Sequence, residues 1–100
     1  MILRKAAVLS KQKEIVDITR IDDNAFRVTV TELGTSSMHT VEVDDEYHQK
    51  LTGGNITKME LVRLSFRFLL NKEPKEMILN KFNLNIISRF YRDYEEYISV

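Results

Sequence analysis

The clearest periodic signal lies between residues 26 and 31, where Phe26, Val28 and Val30 alternate with Arg27, Thr29 and Thr31. A period of two sends one set to a buried face and the other to water, which predicts a strand. The β-branched run from Ile15 to Ile21 precedes it across Asp22-Asp23-Asn24, whose short polar side chains favour turns and tolerate left-handed backbone. After a second turn at Gly34-Thr35-Ser36-Ser37, the segment Met38 to Val43 resumes the alternation with Val41 and Val43 on one face. Three strands joined by short turns predict an antiparallel meander.

From Asp44 the pattern becomes helical. Asp44 or Asp45 can cap a short helix that runs to about Leu51 and stops at Gly53-Gly54, because an aspartate side chain accepts from the unpaired amides of a first turn. Thr57-Lys58-Met59-Glu60 has the spacing of a capping box, with Ile56 and Leu61 placed as the hydrophobic staple around it. The helix that starts at Lys58 is apolar on two sides, with Val62, Phe66, Leu69, Met59 and Leu70 on one arc and Leu61, Leu64 and Phe68 on another. Only Glu60, Arg63, Arg67 and Asn71 form a polar strip, so this helix is expected at the centre of the core. Pro74 suits the first position of a further helix over residues 74 to about 82, and Asn83 or Asn85 can cap the last one. The fold class expected is α+β: a three-stranded antiparallel meander followed by three to four helices.

On an ideal helical period, Ile86, Ile87, Phe90, Tyr91, Tyr94, Tyr97 and Ile98 fall within one arc of about 140°. Such a stripe must dock on something, either the protein's own sheet or a partner. A phenol suits sites that are dry at one end and wet at the other, which makes Phe90, Tyr91, Tyr94 and Tyr97 the candidate interaction surface.

Composition narrows the picture. The chain has 100 residues, 43% of them hydrophobic, with fifteen basic and fifteen acidic side chains. That is one domain, assigned to residues 15–100, and its apolar content argues against disorder. Residues 1–14, with Lys5, Lys11 and Lys13 and an apolar patch at Ala6 to Leu9, form a lead-in that leaves open a flexible segment or an extra strand. The absence of cysteine removes disulfides, thiolate metal sites and thiol nucleophiles, and points to a reducing cytoplasmic setting. No stretch of ~18 apolar residues is present to span a bilayer.

Candidate chemistry is sparse. His39 and His48 stand nine residues apart in different elements, so a zinc site would need carboxylates such as Glu42, Asp44 or Asp45. Ser36, Ser37, His39 and Asp44 lack the glycines of a nucleophile elbow. Gly53-Gly54-Asn55 matches neither phosphate-binding glycine motif, and Thr57 already satisfies the helix amides behind it. Arg63 and Arg67 are the one candidate anion contact. No catalytic residue, metal or cofactor is expected.

Residues 38 to 70, with His39-Thr40-Val41-Glu42-Val43-Asp44-Asp45-Glu46 followed by helix, glycine turn and capped helix, are similar to the ribbon-helix-helix family, whose paired strands enter the major groove of DNA. Glu42 would then face phosphates, the first helix is several residues short, and two strands precede the motif. Residues 76 to 91 look a little like a helix-turn-helix, with Arg89 and Arg92 placed where that motif wants apolar packing. A neutral chain disfavours nucleic acid as partner.

A wider resemblance runs from Ile15 to Tyr94. Phe26-Arg27-Val28-Thr29-Val30, the segment Phe68-Leu69-Leu70-Asn71-Lys72-Glu73-Pro74-Lys75-Glu76-Met77-Ile78-Leu79, then Phe82, Leu84, Ile87 and Phe90-Tyr91, resemble a family of short prokaryotic proteins of unknown function. That resemblance implies a fold and no enzymatic activity or cofactor. Members often carry a proline where Arg92 stands, so here the last helix is expected to continue through Tyr97. The functional expectation is a small non-catalytic interaction domain that self-associates or binds another protein, with no membrane role. The alternative is a DNA-binding regulatory module of ribbon-helix-helix character.

Overall fold

The strands β1 (Ile15–Asp22), β2 (Ala25–Glu32) and β3 (Thr35–Glu42) form the expected meander in the computed structural model, which describes residues 14–99. The expected lead-in, with its strand option over Ala6 to Leu9, lies outside the described residues. Phe26, Val28, Val30, Val41 and Val43 are buried on one side of the sheet, while Arg27, Met38 and Glu42 are exposed on the other. The second turn is tighter than the sequence suggests. Glu32 pairs with Thr35, leaving only Leu33 and Gly34 between them, at φ 52° and 81°. Two consecutive positive φ values make a type I′ turn, whose twist matches that of the flanking strands.

Helix α1 (Asp45–Thr52) ends at Gly53 in the left-handed conformation, φ 63°. Asp44 occupies the N-cap position, but its side chain accepts from Asn83 Nδ2 at 3.2 Å and makes no cap bond. Helix α2 (Lys58–Lys72) has the full capping box: Glu60 N donates to Thr57 Oγ1 at 3.0 Å, and Thr57 N donates to Glu60 Oε1 at 2.8 Å. Leu61, Val62, Ser65, Phe66, Phe68, Leu69 and Leu70 are buried, so α2 is the central core helix. Among the described residues no helix is long and apolar enough to cross a membrane.

The remainder departs from expectation in two places. The helix expected over 74–82 is absent. Pro74 is extended at φ −69°, ψ 157°, a single 3₁₀ turn covers Lys75–Met77, and Lys81–Asn83 forms a fourth strand, β4, parallel to β3. The sheet order is therefore β1-β2-β3-β4 and the sheet is mixed. The free edge of β3 supplies the reason: Thr40 N donates to Asn80 O at 2.7 Å. A helix of this length is marginal by itself and yields to such tertiary pairing.

The continuous last helix is also broken. A 3₁₀ turn over Leu84–Ile86, with Asn83 Oδ1 accepting from Asn85 N, leads into α3 (Ile87–Phe90), Tyr91 is extended, and α4 covers Tyr94–Ile98. The break lets Tyr94 and Ile98 reach the core. The Tyr94 hydroxyl donates to Ser65 Oγ at 2.6 Å, and Ser65 in turn donates to Leu61 O at 2.7 Å.

Two stability measurements check these local readings. Thr57→Ala removes the cap and is expected to lower unfolding free energy by about 1 kcal/mol in urea titration. Leu33 is 72% exposed and sits in a conformation that favours Asn or Gly, so Leu33→Asn is expected to raise stability by about 0.5–1 kcal/mol; a loss would show that the leucine side chain is held by unseen contacts.

Candidate functional site

The extended passage from Pro74 to β4 leaves a trough between the end of α2 and the start of α3. Its walls and floor are Leu69, Ile78, Phe82, Ile86 and Ile87, enclosing about 150 Å³. Met77 and Phe90, each 68% exposed, and Leu79 stand on its rim. At one end the Tyr91 hydroxyl donates a hydrogen bond to the Glu73 carboxylate. That bond, with partial burial, pushes the Tyr91 phenol up to about 12.

The four aromatics expected to share one surface are divided. Tyr91, Tyr94 and Tyr97 gather around Phe68, with ring centroids 5.8, 5.3 and 5.1 Å away. Tyr94 is buried, and burial pushes its phenol up. Phe90 turns outward as the principal apolar contact and Tyr91 borders the same trough, while Tyr97 stays 48% exposed beside Phe68. The correction follows from the extended residue at Tyr91, which rotates everything after it off the arc of Ile86, Ile87 and Phe90. Met77, Ile78, Leu79 and Phe82 escaped sequence reasoning because a helical assignment spread them around an axis. Their signal was the consecutive apolar run after Pro74, which a strand-like reading would have placed on a sheet edge.

Below the trough lies a polar knot. His39 is buried against Phe66, ring centroids 5.3 Å apart. Its Nδ1 lies 2.7 Å from Leu79 O and its Nε2 2.8 Å from Ser37 Oγ. A carbonyl only accepts, so Nδ1 carries the proton and neutral Nε2 accepts from the serine. The imidazole thus pins the rim residue Leu79 to β3. Beside it Lys75, 3% exposed, donates to Thr35 Oγ1 at 2.7 Å and to Glu76 Oε2 at 2.6 Å, tying the 3₁₀ turn to the start of β3. The Tyr47 hydroxyl donates to Glu95 Oε2 at 2.7 Å and joins α1 to α4.

The candidate anion pair separates in role. Arg63 is half-buried and donates from Nη1 to Val16 O at 2.9 Å, whereas Arg67 stays exposed on the same strip. In the glycine turn, Gly54 N donates to Thr52 Oγ1 at 3.0 Å and Asn55 N to Thr52 O at 3.0 Å. His48 donates from Nε2 to Ile56 O at 2.6 Å. No three His, Cys, Asp or Glu side chains converge among the described residues. The strand proposed as a DNA-reading ribbon, β3, lies between β2 and β4, so its central and C-terminal edges are engaged within the chain.

No protein-family model matches this chain, and no curated protein or solved structure is detectably similar to it.

The His39 knot makes stability depend on pH. Burial lowers the imidazole below its ordinary value of 6.5, against a smaller opposing effect of the Leu79 bond. The unfolded chain therefore takes up a proton at higher pH than the folded one. The His39 contribution is complete above 6.5 and is lost as pH falls from there to the lowered value. Urea midpoints measured across this interval are expected to decline toward acid, and His39→Gln is expected to flatten that decline.

Proposed function

We propose that this chain is a non-catalytic protein-interaction domain whose trough receives apolar side chains from another polypeptide. The observation that carries the reading is the exposure of Met77, Leu79 and Phe90 around a trough already floored by buried apolar residues. Its size supports a protein partner: about 150 Å³ holds a side chain or two, whereas pockets for small molecules and cofactors span roughly 300–1,000 Å³. The chemistry of the walls supports a passive role. The polar groups beside it, the Tyr91 hydroxyl with Glu73 and His39 with Leu79 and Ser37, are engaged with each other. Exposed aromatic and methionine side chains around a concavity are the composition of binding hot spots.

The test is selection from a displayed random peptide library followed by chemical-shift mapping on the full chain. Selected peptides are expected to carry Leu, Ile, Phe or Trp anchors and to shift Met77, Leu79 and Phe90. Phe90→Asp is expected to abolish that binding while moving stability by less than about 0.5 kcal/mol, since the ring is exposed. Peptides that map elsewhere, or bind Phe90→Asp equally well, would overturn the assignment.

A further inference from the structure

Among the described residues, the register of the sheet determines which backbone groups of the long edge strand β1 have no strand partner. In a two-residue type I′ hairpin the flanking residues, here Glu32 and Thr35, form a hydrogen-bonded pair. Hydrogen-bonded pairs alternate along an antiparallel ladder, so the even-numbered residues of β2 face β3 and the odd-numbered ones face β1. The bonds from Val43 N to Asn24 O at 2.8 Å and from Thr40 N to Asn80 O agree with this assignment. Across the β1–β2 register, Ile15, Asp17 and Thr19 oppose Thr31, Thr29 and Arg27 and spend their backbone groups inward. The amides and carbonyls of Val16, Ile18 and Arg20 point away from the sheet.

Two further features mark this edge as unfinished. Val16 and Ile18 face the core yet are only half-buried, whereas their neighbours Val30 and Val28 are fully covered. Ile15 and Ile21, near the two ends of the strand, are exposed. The strand is also self-complementary. Antiparallel pairing with a second copy about a two-fold axis at Ile18 makes Ile18 face its own equivalent. It sets Val16 beside Arg20 and Asp17 beside Thr19 and brings Ile15 toward Ile21, which lies in the bulge between Arg20 and Asp22, with no like charges opposed over residues 15–21. The acids Glu14 and Asp22 meet only at the two ends of that register. The pairs Val16 with Arg20 and Ile18 with Ile18 are those whose outward N–H and C=O groups form reciprocal bonds. The Arg63 bond occupies one lone pair of Val16 O and leaves the second for a strand.

We infer that two copies of this chain pair β1 to β1, antiparallel about Ile18, into one continuous eight-stranded sheet. This goes beyond the trough reading: it names a second copy as partner on a separate surface.

Sedimentation equilibrium of the full chain at micromolar concentration tests it. The wild type is expected at twice the chain mass. The double variant Ile15→Lys with Ile21→Lys gathers lysines at both ends of the paired strands, and it is expected to weaken association by at least about tenfold. Both positions are exposed, so the folded monomer survives. Amide exchange at Val16, Ile18 and Arg20 is expected to quicken on dilution. A single-chain mass throughout, a dimer indifferent to the two lysines, or edge amides equally protected at every dilution would each overturn the pairing. Phe90→Asp separates the two surfaces: it is expected to leave dimerisation intact, and its loss would place self-association in the trough and refute the edge.

Discussion

The backbone edge of β3 is the constraint from which the second half of the molecule follows. A meander of three strands leaves both outer strands with unpaired amides and carbonyls, and one of those strands here lies against buried side chains. Unpaired backbone groups in such a setting are costly. The bond from Thr40 to Asn80 and the pairing of Lys81–Asn83 beside Thr40–Glu42 satisfy them. A parallel neighbour cannot be reached by a tight turn, so the chain must first travel through α1 and α2. The central helix is therefore both core and crossover.

That pairing also creates the trough. Drawing residues 78–83 into extended form pulls them off the end of α2, and the gap is floored from three sides by Leu69, Phe82 and Ile87. Two polar clamps fix this path, His39 on Leu79 and Lys75 on Thr35. Each places a nitrogen-bearing side chain in a buried position, where it is stable only because every hydrogen-bonding atom has a partner. No buried side-chain nitrogen or oxygen among the described residues lacks one. The apolar rim is thus mounted on a rigid base.

How far the fold was legible in the sequence depended on whether a signal was local. The alternation of Phe26, Val28 and Val30 and the capping box of Thr57 and Glu60 act within a few residues, and both appear as read. Residues 74–98 failed for the opposite reason. Helices of four or five residues, such as α3 and α4, carry little stability of their own, so distant contacts decided their limits: Thr40 on Asn80, Ser65 on Tyr94, Glu73 on Tyr91. The aromatic spacing after Ile86 was real: Ile87, Tyr94 and Ile98 turn inward, while Phe90 turns out. The extended backbone at Tyr91 divided one stripe into a core cluster around Phe68 and an outward Phe90. Of the trough, Ile86, Ile87, Phe90 and Tyr91 were visible beforehand on one arc, whereas Ile78, Leu79 and Phe82 depend on the path into β4.

The two borders of the sheet are unequal: eight residues in β1 against three in β4. A long ladder added to β1 would find no comparable ladder at the opposite border on which to repeat. A copy added at β1 would therefore leave no matching border for a further round, a geometry that guards against runaway polymerisation into filaments.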